Sequence, residues 1–147
     1  MEIRNYHNLL IWTSYVTPYI LESFIKKDVL PIFIARNISN SGLIGKWNGT
    51  SVHFSSLAPS PKLLRDWKKD KIIDTEEFIE KFTKEIKDNV NLEEVLKRIS
   101  FLCDVCGAKG AVLMGYGQDR KECHRSILSD IINNSGLLNN KVVELVI

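Results

Sequence analysis

Several things are scarce in this sequence, and each scarcity excludes something. Three cysteines in 147 residues cannot form a closed disulfide framework, and a chain of this length buries enough apolar surface to do without one. The opening stretch MEIRNYHNLLIWTSY holds no long apolar run, so neither a secretory signal nor a membrane span is expected. Basic and acidic residues nearly balance, 20 against 18, and the resulting net charge of +2 argues against a general nucleic-acid coat. No glycine-rich phosphate loop is present, since GYGQDRK matches neither a Walker loop nor a dinucleotide fingerprint. A cytoplasmic protein in a reducing setting, folded as one domain over residues 1–147, is the expectation these absences leave.

What is present alternates between short apolar runs and amphipathic stretches. LLIWTSY (9–15), VLPIFIAR (29–36), GAVLMGYG (110–117) and KVVELVI (141–147) read as strands. Pro31 lacks a ladder donor and is expected near a strand start or on a sheet edge. In KVVELVI only Glu144 is polar among Val142, Val143, Leu145 and Val146, which predicts burial on both faces, inside a sheet or at an interface between copies.

Helices are expected over 17–27, 60–69, 74–88 and 91–103, and again after an N-cap pattern at Asp119 and Glu122. Their buried stripes are Leu63, Leu64 and Trp67; Phe78, Phe82 and Ile86; Leu92, Val95, Leu96, Ile99, Leu102 and Cys103; and Ile127, Leu128, Ile131 and Ile132. Residues 37–56, rich in Asn, Ser and Gly, read as a long loop with a short hairpin in KWNGTSVHF, turning at Asn48-Gly49. Strands alternating with helices predict an α/β domain: a mostly parallel sheet with helices on both faces, Rossmann-like and three-layered.

In such a sheet the strand C-termini share one edge, and ligands bind in the crevice beyond it. Ser14 and Tyr15, Arg36, and Tyr116 all fall there. Cys123, His124 and Arg125 lie in the first turns of the helix that follows. Unsatisfied N–H groups and the positive dipole end favour an anion at that place and lower the pKa of a thiol. Adjacent helical residues point about 100° apart, so at most two of the three can face one ligand. Cys123 and Arg125 are the better pair, with His124 bracing the loop or packing beneath it. The structural alternative makes Cys123 a small core residue and Arg125 an ion-pair partner. A zinc site from Cys103, Cys106, Cys123 and His124 is disfavoured, because a whole strand would separate its halves by roughly 15–20 Å. No metal is expected, and no cofactor is indicated.

VLMGYGQDRKECHRSILSDII resembles the signature of the domain of unknown function 488 family, in which an apolar strand leads to Cys-His-Arg and a helix. LAPSPKLLRDWKKDKIIDTEEFIEKFTKEI resembles its second block, and IWTSY and PIFIAR its opening strands. The resemblance implies a compact α/β domain and adds Pro59 and Ser60 to Ser14, Tyr15, Arg36, Tyr116, Cys123, His124 and Arg125. Gly115 stands where the family often has a cysteine, and Gly117 where it often has an acid, which speaks against a two-thiol mechanism.

Three functions compete on this reading. The first is binding of a phosphate-bearing small molecule, a nucleotide in particular, with Arg36, Arg125 and the helix start holding the anion and Tyr15 or Tyr116 stacking. The second is a single-thiol enzyme with Cys123 as nucleophile and His124 as base. The third is a nucleic-acid module using Lys46, Trp47 and RDWKKDK, which would show strong salt dependence. A homo-oligomer through the C-terminal strand is a further expectation.

Overall fold

The computed structural model describes residues 6–15, 28–34, 52–115 and 124–145. Five strands form one parallel sheet: β1 (Ile11–Tyr15), β2 (Val29–Phe33), β3 (Val52–His53), β4 (Gly110–Gly115) and β5 (Val143–Glu144), in the order β3-β2-β4-β1-β5. β2 and β4 are buried along their whole length, which their near-continuous apolar sequences require of central parallel strands. Four α-helices accompany them among the described residues: α1 (Pro61–Leu64), α2 (Thr75–Asn89), α3 (Leu92–Cys106) and α4 (His124–Ser135).

The helix boundaries follow from capping chemistry. The Asp74 side chain accepts from the Glu77 N–H at 2.8 Å, and Asn91 accepts from Glu94 at 3.1 Å. α3 stops at Gly107, whose φ of 68° lets the Ala108 N–H turn back to the Cys103 carbonyl at 2.8 Å. α1 widens at its end into a π-turn, the Asp70 N–H reaching the Arg65 carbonyl, and Trp67 there stacks on Phe78 with ring centroids 3.8 Å apart.

Register puts Ile11, Thr13 and Tyr15, Leu30 and Ile32, Ala111 and Leu113, and Glu144 on one face of the sheet. The apolar members of that set up to Leu113 join Phe78, Phe82, Ile86, Leu96, Ile99, Leu128 and Ile132 in a single core cluster. The other face carries Val29, Phe33, Val112 and Met114, which are also buried but belong outside that cluster. A parallel sheet buried on both faces is the Rossmann-like arrangement expected. The helix expected over 17–27 lies outside the described residues.

Gly110 fixes how β4 meets β1. A Cβ there would come within 2.6 Å of the Leu10 carbonyl oxygen and 2.7 Å of the Trp12 ring, so only glycine allows the strands to approach.

Three expectations need correction. Pro31 is neither at a strand start nor on an edge, since it is the third residue of an internal strand and pairs with Val112. Among the described residues its missing N–H breaks no ladder bond. Phe33 turns its carbonyl to β3 and Ile34 its N–H to β4, so Pro31 turns its nitrogen to the β3 side, where the described pairs of β3 are with Ile32 and Phe33. Within the expected loop, Val52–His53 instead forms β3, parallel to β2, while residues 37–51 and the other hairpin arm lie outside the described residues. Within the single chain the C-terminal strand is not enclosed on both faces. β5 is an edge strand with Val143 48% exposed, and Glu144 is the residue turned inward.

Candidate functional site

All five strands end on one edge, and β1 ends beside β4, with Tyr15 in register with Gly115. α4 begins at this edge, and its first two residues anchor it on either side. His124 is buried, its Nε2 lies 2.8 Å from the Ile34 carbonyl oxygen just beyond β2, and its ring packs T-shaped with Phe82. A carbonyl only accepts, so Nε2 carries the proton and, in the neutral ring, Nδ1 is the acceptor. Arg125 reaches the other way, to Glu144 on β5. In the strand order, β4 and β1 lie between these two anchors.

The Arg125 guanidinium is wholly buried. Its Nε lies 3.1 and 3.2 Å from the two Glu144 carboxylate oxygens, and its Nη2 donates to Oε2 at 2.9 Å. Thr13, also buried, donates its hydroxyl to Glu144 Oε1 at 2.6 Å. A buried cation requires this kind of partnering, because leaving it alone out of water costs several kcal/mol. α4 holds β5 further along through Ser129, whose hydroxyl donates to the Val142 carbonyl at 3.1 Å, and through Asn133, which bonds both backbone groups of Val142.

The remaining sequence candidates are distributed differently. Ser14 and Tyr15 are neighbours on β1 and therefore point to opposite faces. Ser14 is buried on the Met114 side, and Tyr15 is half-buried on the side of Thr13 and Glu144. Ser60 caps α1, accepting from the Leu63 N–H, and its own hydroxyl and N–H both bond the Glu85 carboxylate. None of its hydrogen bonds reaches His124 or Arg125. It lines a cavity of about 350 Å³ with Lys62, Lys81, Lys84 and Glu85. Arg36, Tyr116 and Cys123 lie outside the described residues, as do Lys46 and Trp47. Cys103 is fully buried on the α3 stripe, whereas Cys106 is exposed at the end of that helix.

Glu144 and Thr13 were missed by the sequence reading. The available signal was a lone acid in an otherwise apolar strand, following a helix with Arg125, Ser129 and Asn133 at four-residue spacing. That spacing is a polar stripe beside the apolar one, directed at whatever follows the helix.

Comparison with known proteins gives one match. No curated protein and no solved structure is significantly similar to the chain. Residues 26–136 match the family model DUF488-N3a, described as the active DUF488-N3 subclade. That stretch runs from just before β2 to just past the end of α4, so it takes in His124 and Arg125 and leaves out β1 and β5. The chain therefore belongs to the DUF488-N3a family.

Proposed function

We propose that this protein binds a phosphate-bearing small molecule, with a nucleotide as the best-fitting class, at the edge where β1 and β4 end. The observation that carries the reading is the double anchoring of α4, by His124 to Ile34 and by Arg125 to Glu144, on either side of β4 and β1 in the strand order. The N–H groups of a first helical turn have no intrahelical acceptors, and together with the dipole they favour an anion. Tyr15 supplies a half-buried ring at the same edge on which a base can stack. Arg36 and Tyr116 follow β2 and β4 closely in sequence and complete the proposed set with Ser14 and Arg125, whereas Ser60, bonded to Glu85, stands apart from it. The proposal includes a cytoplasmic setting. Among the described residues no helix is long and apolar enough to cross a membrane, which agrees with it. The test is native mass spectrometry of gently purified protein, with thermal denaturation across a panel of nucleotides, sugar phosphates and inorganic phosphate. A retained phosphate-bearing ligand, or a rise in Tm with one class, is expected. A panel that shifts nothing would remove the reading.

A second reading rests on the His124 ring. With Nε2 committed to the Ile34 carbonyl, Nδ1 is its proton-accepting atom, and Cys123 is its neighbour in sequence. A single-thiol enzyme with Cys123 as nucleophile and His124 as base would show Cys123 alkylated by iodoacetamide at neutral pH faster than the exposed Cys106. Slower labelling at Cys123 would dismiss it.

A further inference from the structure

α3 turns one stripe to the core and leaves the opposite one bare. Leu96, Ile99 and Cys103 are buried. Phe101, about 180° around the helix from them, is 50% exposed, and Val105, one turn further on, is 63% exposed. Phe54, Leu102 and Phe101 border a cavity of about 360 Å³ beside this stripe, together with Glu94, Lys97 and Arg98. Two large apolar side chains held out on adjacent turns next to a cavity form a knob and a hole on one surface. Charges frame them in a fixed order. At 100° per residue, Lys97 and the half-buried Asp104 lie on one flank of the stripe, before and after Phe101, while Arg98 and Val105 lie on the other. The Lys97 ammonium is 3.3 Å from Glu93, but both side chains are about half exposed, so water screens that pair.

We infer that this face of α3 docks a second copy of the chain, on a two-fold axis beside Phe101 that sets the two α3 helices antiparallel. The charges choose the arrangement. An antiparallel pair centred on Phe101 brings residues equally far before and after it to the same level, and the dyad keeps each flank with itself. Lys97 then meets the second copy's Asp104, and Asp104 meets the second copy's Lys97. On the other flank the aliphatic stem of Arg98 covers the second copy's Val105, which enters the cavity beside Phe54 and Leu102. Phe101 packs against its own copy at the centre. Moving the centre to lie between Phe101 and Val105 would set Asp104 against Asp104. Parallel helices would set Glu94, Lys97 and Asp104 each against itself, and like charges so placed are costly. The surface covers roughly three turns of one helix, so the dimer belongs to the small, readily dissociating class of interfaces. No residue of it belongs to the proposed phosphate-binding set, and the inference stands apart from that reading.

Sedimentation equilibrium of the full chain over a wide concentration range tests the inference. Wild type should pass from one copy to two as its concentration rises from roughly micromolar toward millimolar, and the midpoint should move to higher concentration in strong salt. Phe101→Glu should remain a monomer throughout, and because Phe101 is already half exposed its Tm should stay near that of wild type. Lys97→Asp alone, or Asp104→Lys alone, should weaken association at least about tenfold, since the dyad doubles each change. The double variant Lys97→Asp with Asp104→Lys restores opposite charges across the axis and should return the midpoint to within about threefold of wild type. That recovery also separates a charge effect from misfolding of the single variants. Wild type that stays monomeric at every concentration, or that assembles beyond two copies, would overturn the inference. So would a dimer that Phe101→Glu leaves intact, as association through the C-terminal strand would be, or single and double charge variants that associate alike.

Discussion

On one face of the sheet, Leu30 and Ile32 of β2 share a core cluster with Phe78, Phe82 and Ile86 of α2 and Leu96 and Ile99 of α3, and the polar side chain buried on α3 is Ser100. Beside β1 and β5, under α4, the same depth holds Thr13, Arg125 and Ser129, with the partly exposed Glu144 as partner to the first two. The first region gains from burying area and tolerates changes of shape within limits. The second gains little from area and depends on every donor finding its acceptor. Phe82 stands at the border, its ring against the His124 imidazole. Polar groups at core depth cost stability unless partnered, and Thr13, Arg125 and Ser129 meet that requirement through Glu144 and the Val142 carbonyl.

The largest effect should come from the apolar region and should leave binding alone. Phe78 is fully buried and stacks on Trp67, so Phe78→Ala should cost about 3–5 kcal/mol in chemical denaturation. The fold that remains should still respond to phosphate-bearing ligands by a rise in Tm. Loss of that response along with the stability would show that the two regions are not separable.

Arg125→Ala should come next and should behave in the opposite way. Removing the cation strands the Glu144 carboxylate on its Thr13 contact, at about 3 kcal/mol, the low end for broken buried pairs because Glu144 is partly exposed. The ligand-induced rise in Tm should disappear too. The paired replacement Arg125→Met with Glu144→Leu should recover most of the stability and none of the ligand response. Recovery of both would make the pair purely structural.

The two regions were also unequally legible in the sequence. The apolar one is written locally: Asp74 and Asn91 cap their helices, the stripes of α2 and α3 have helical spacing, and Gly107 ends α3, so a short window shows each element. The parallel α/β sheet followed from the same patterns. The polar region depends on partners far apart in the chain. Thr13 and Glu144 are 131 residues apart, and no window joins them. Glu144 looked like an interruption in an apolar strand because its partner comes from a helix that precedes it. β5 looked enclosed because its composition is apolar. A two-residue edge strand is held instead by α4 side chains bonding Val142 and Glu144. Pro31 misled in the same manner, since the side of β2 on which its nitrogen lies is a property of the sheet and not of the strand.

A smaller effect tests how α4 holds that edge. The Asn133 amide accepts from the Val142 N–H at 2.8 Å and donates to its carbonyl at 3.1 Å, as a peptide group in a ladder would. Asn133 is itself exposed, so water replaces part of what is lost, and Asn133→Ala should cost roughly 1 kcal/mol. Hydrogen exchange at the Val142 amide should accelerate more than exchange in β4. Equal acceleration in both would mean that the substitution loosens the whole fold and not the edge alone.

The smallest expected effect lies on α1. The Asp66 carboxyl is held below the usual carboxylate range chiefly by the Lys62 hydrogen bond, at 2.7 Å, against a desolvation that acts the other way; the charges of Lys62, Arg65 and Lys81 lower it further. A carboxyl with a depressed folded pKa favours the native state only while ionised. Its contribution is present above the unfolded value, roughly 4, and is lost as pH falls through the lower folded value. Lys62→Met removes the main cause, so the variant and wild type should differ slightly at neutral pH and converge in strong acid. The difference should stay below that of Asn133→Ala, because the Lys62 side chain is 78% exposed and its charge is well solvated. Denaturant midpoints measured across the acid range check this. A gap that persists or widens as the pH falls would show that Lys62 stabilises α1 through its aliphatic stem and not through Asp66.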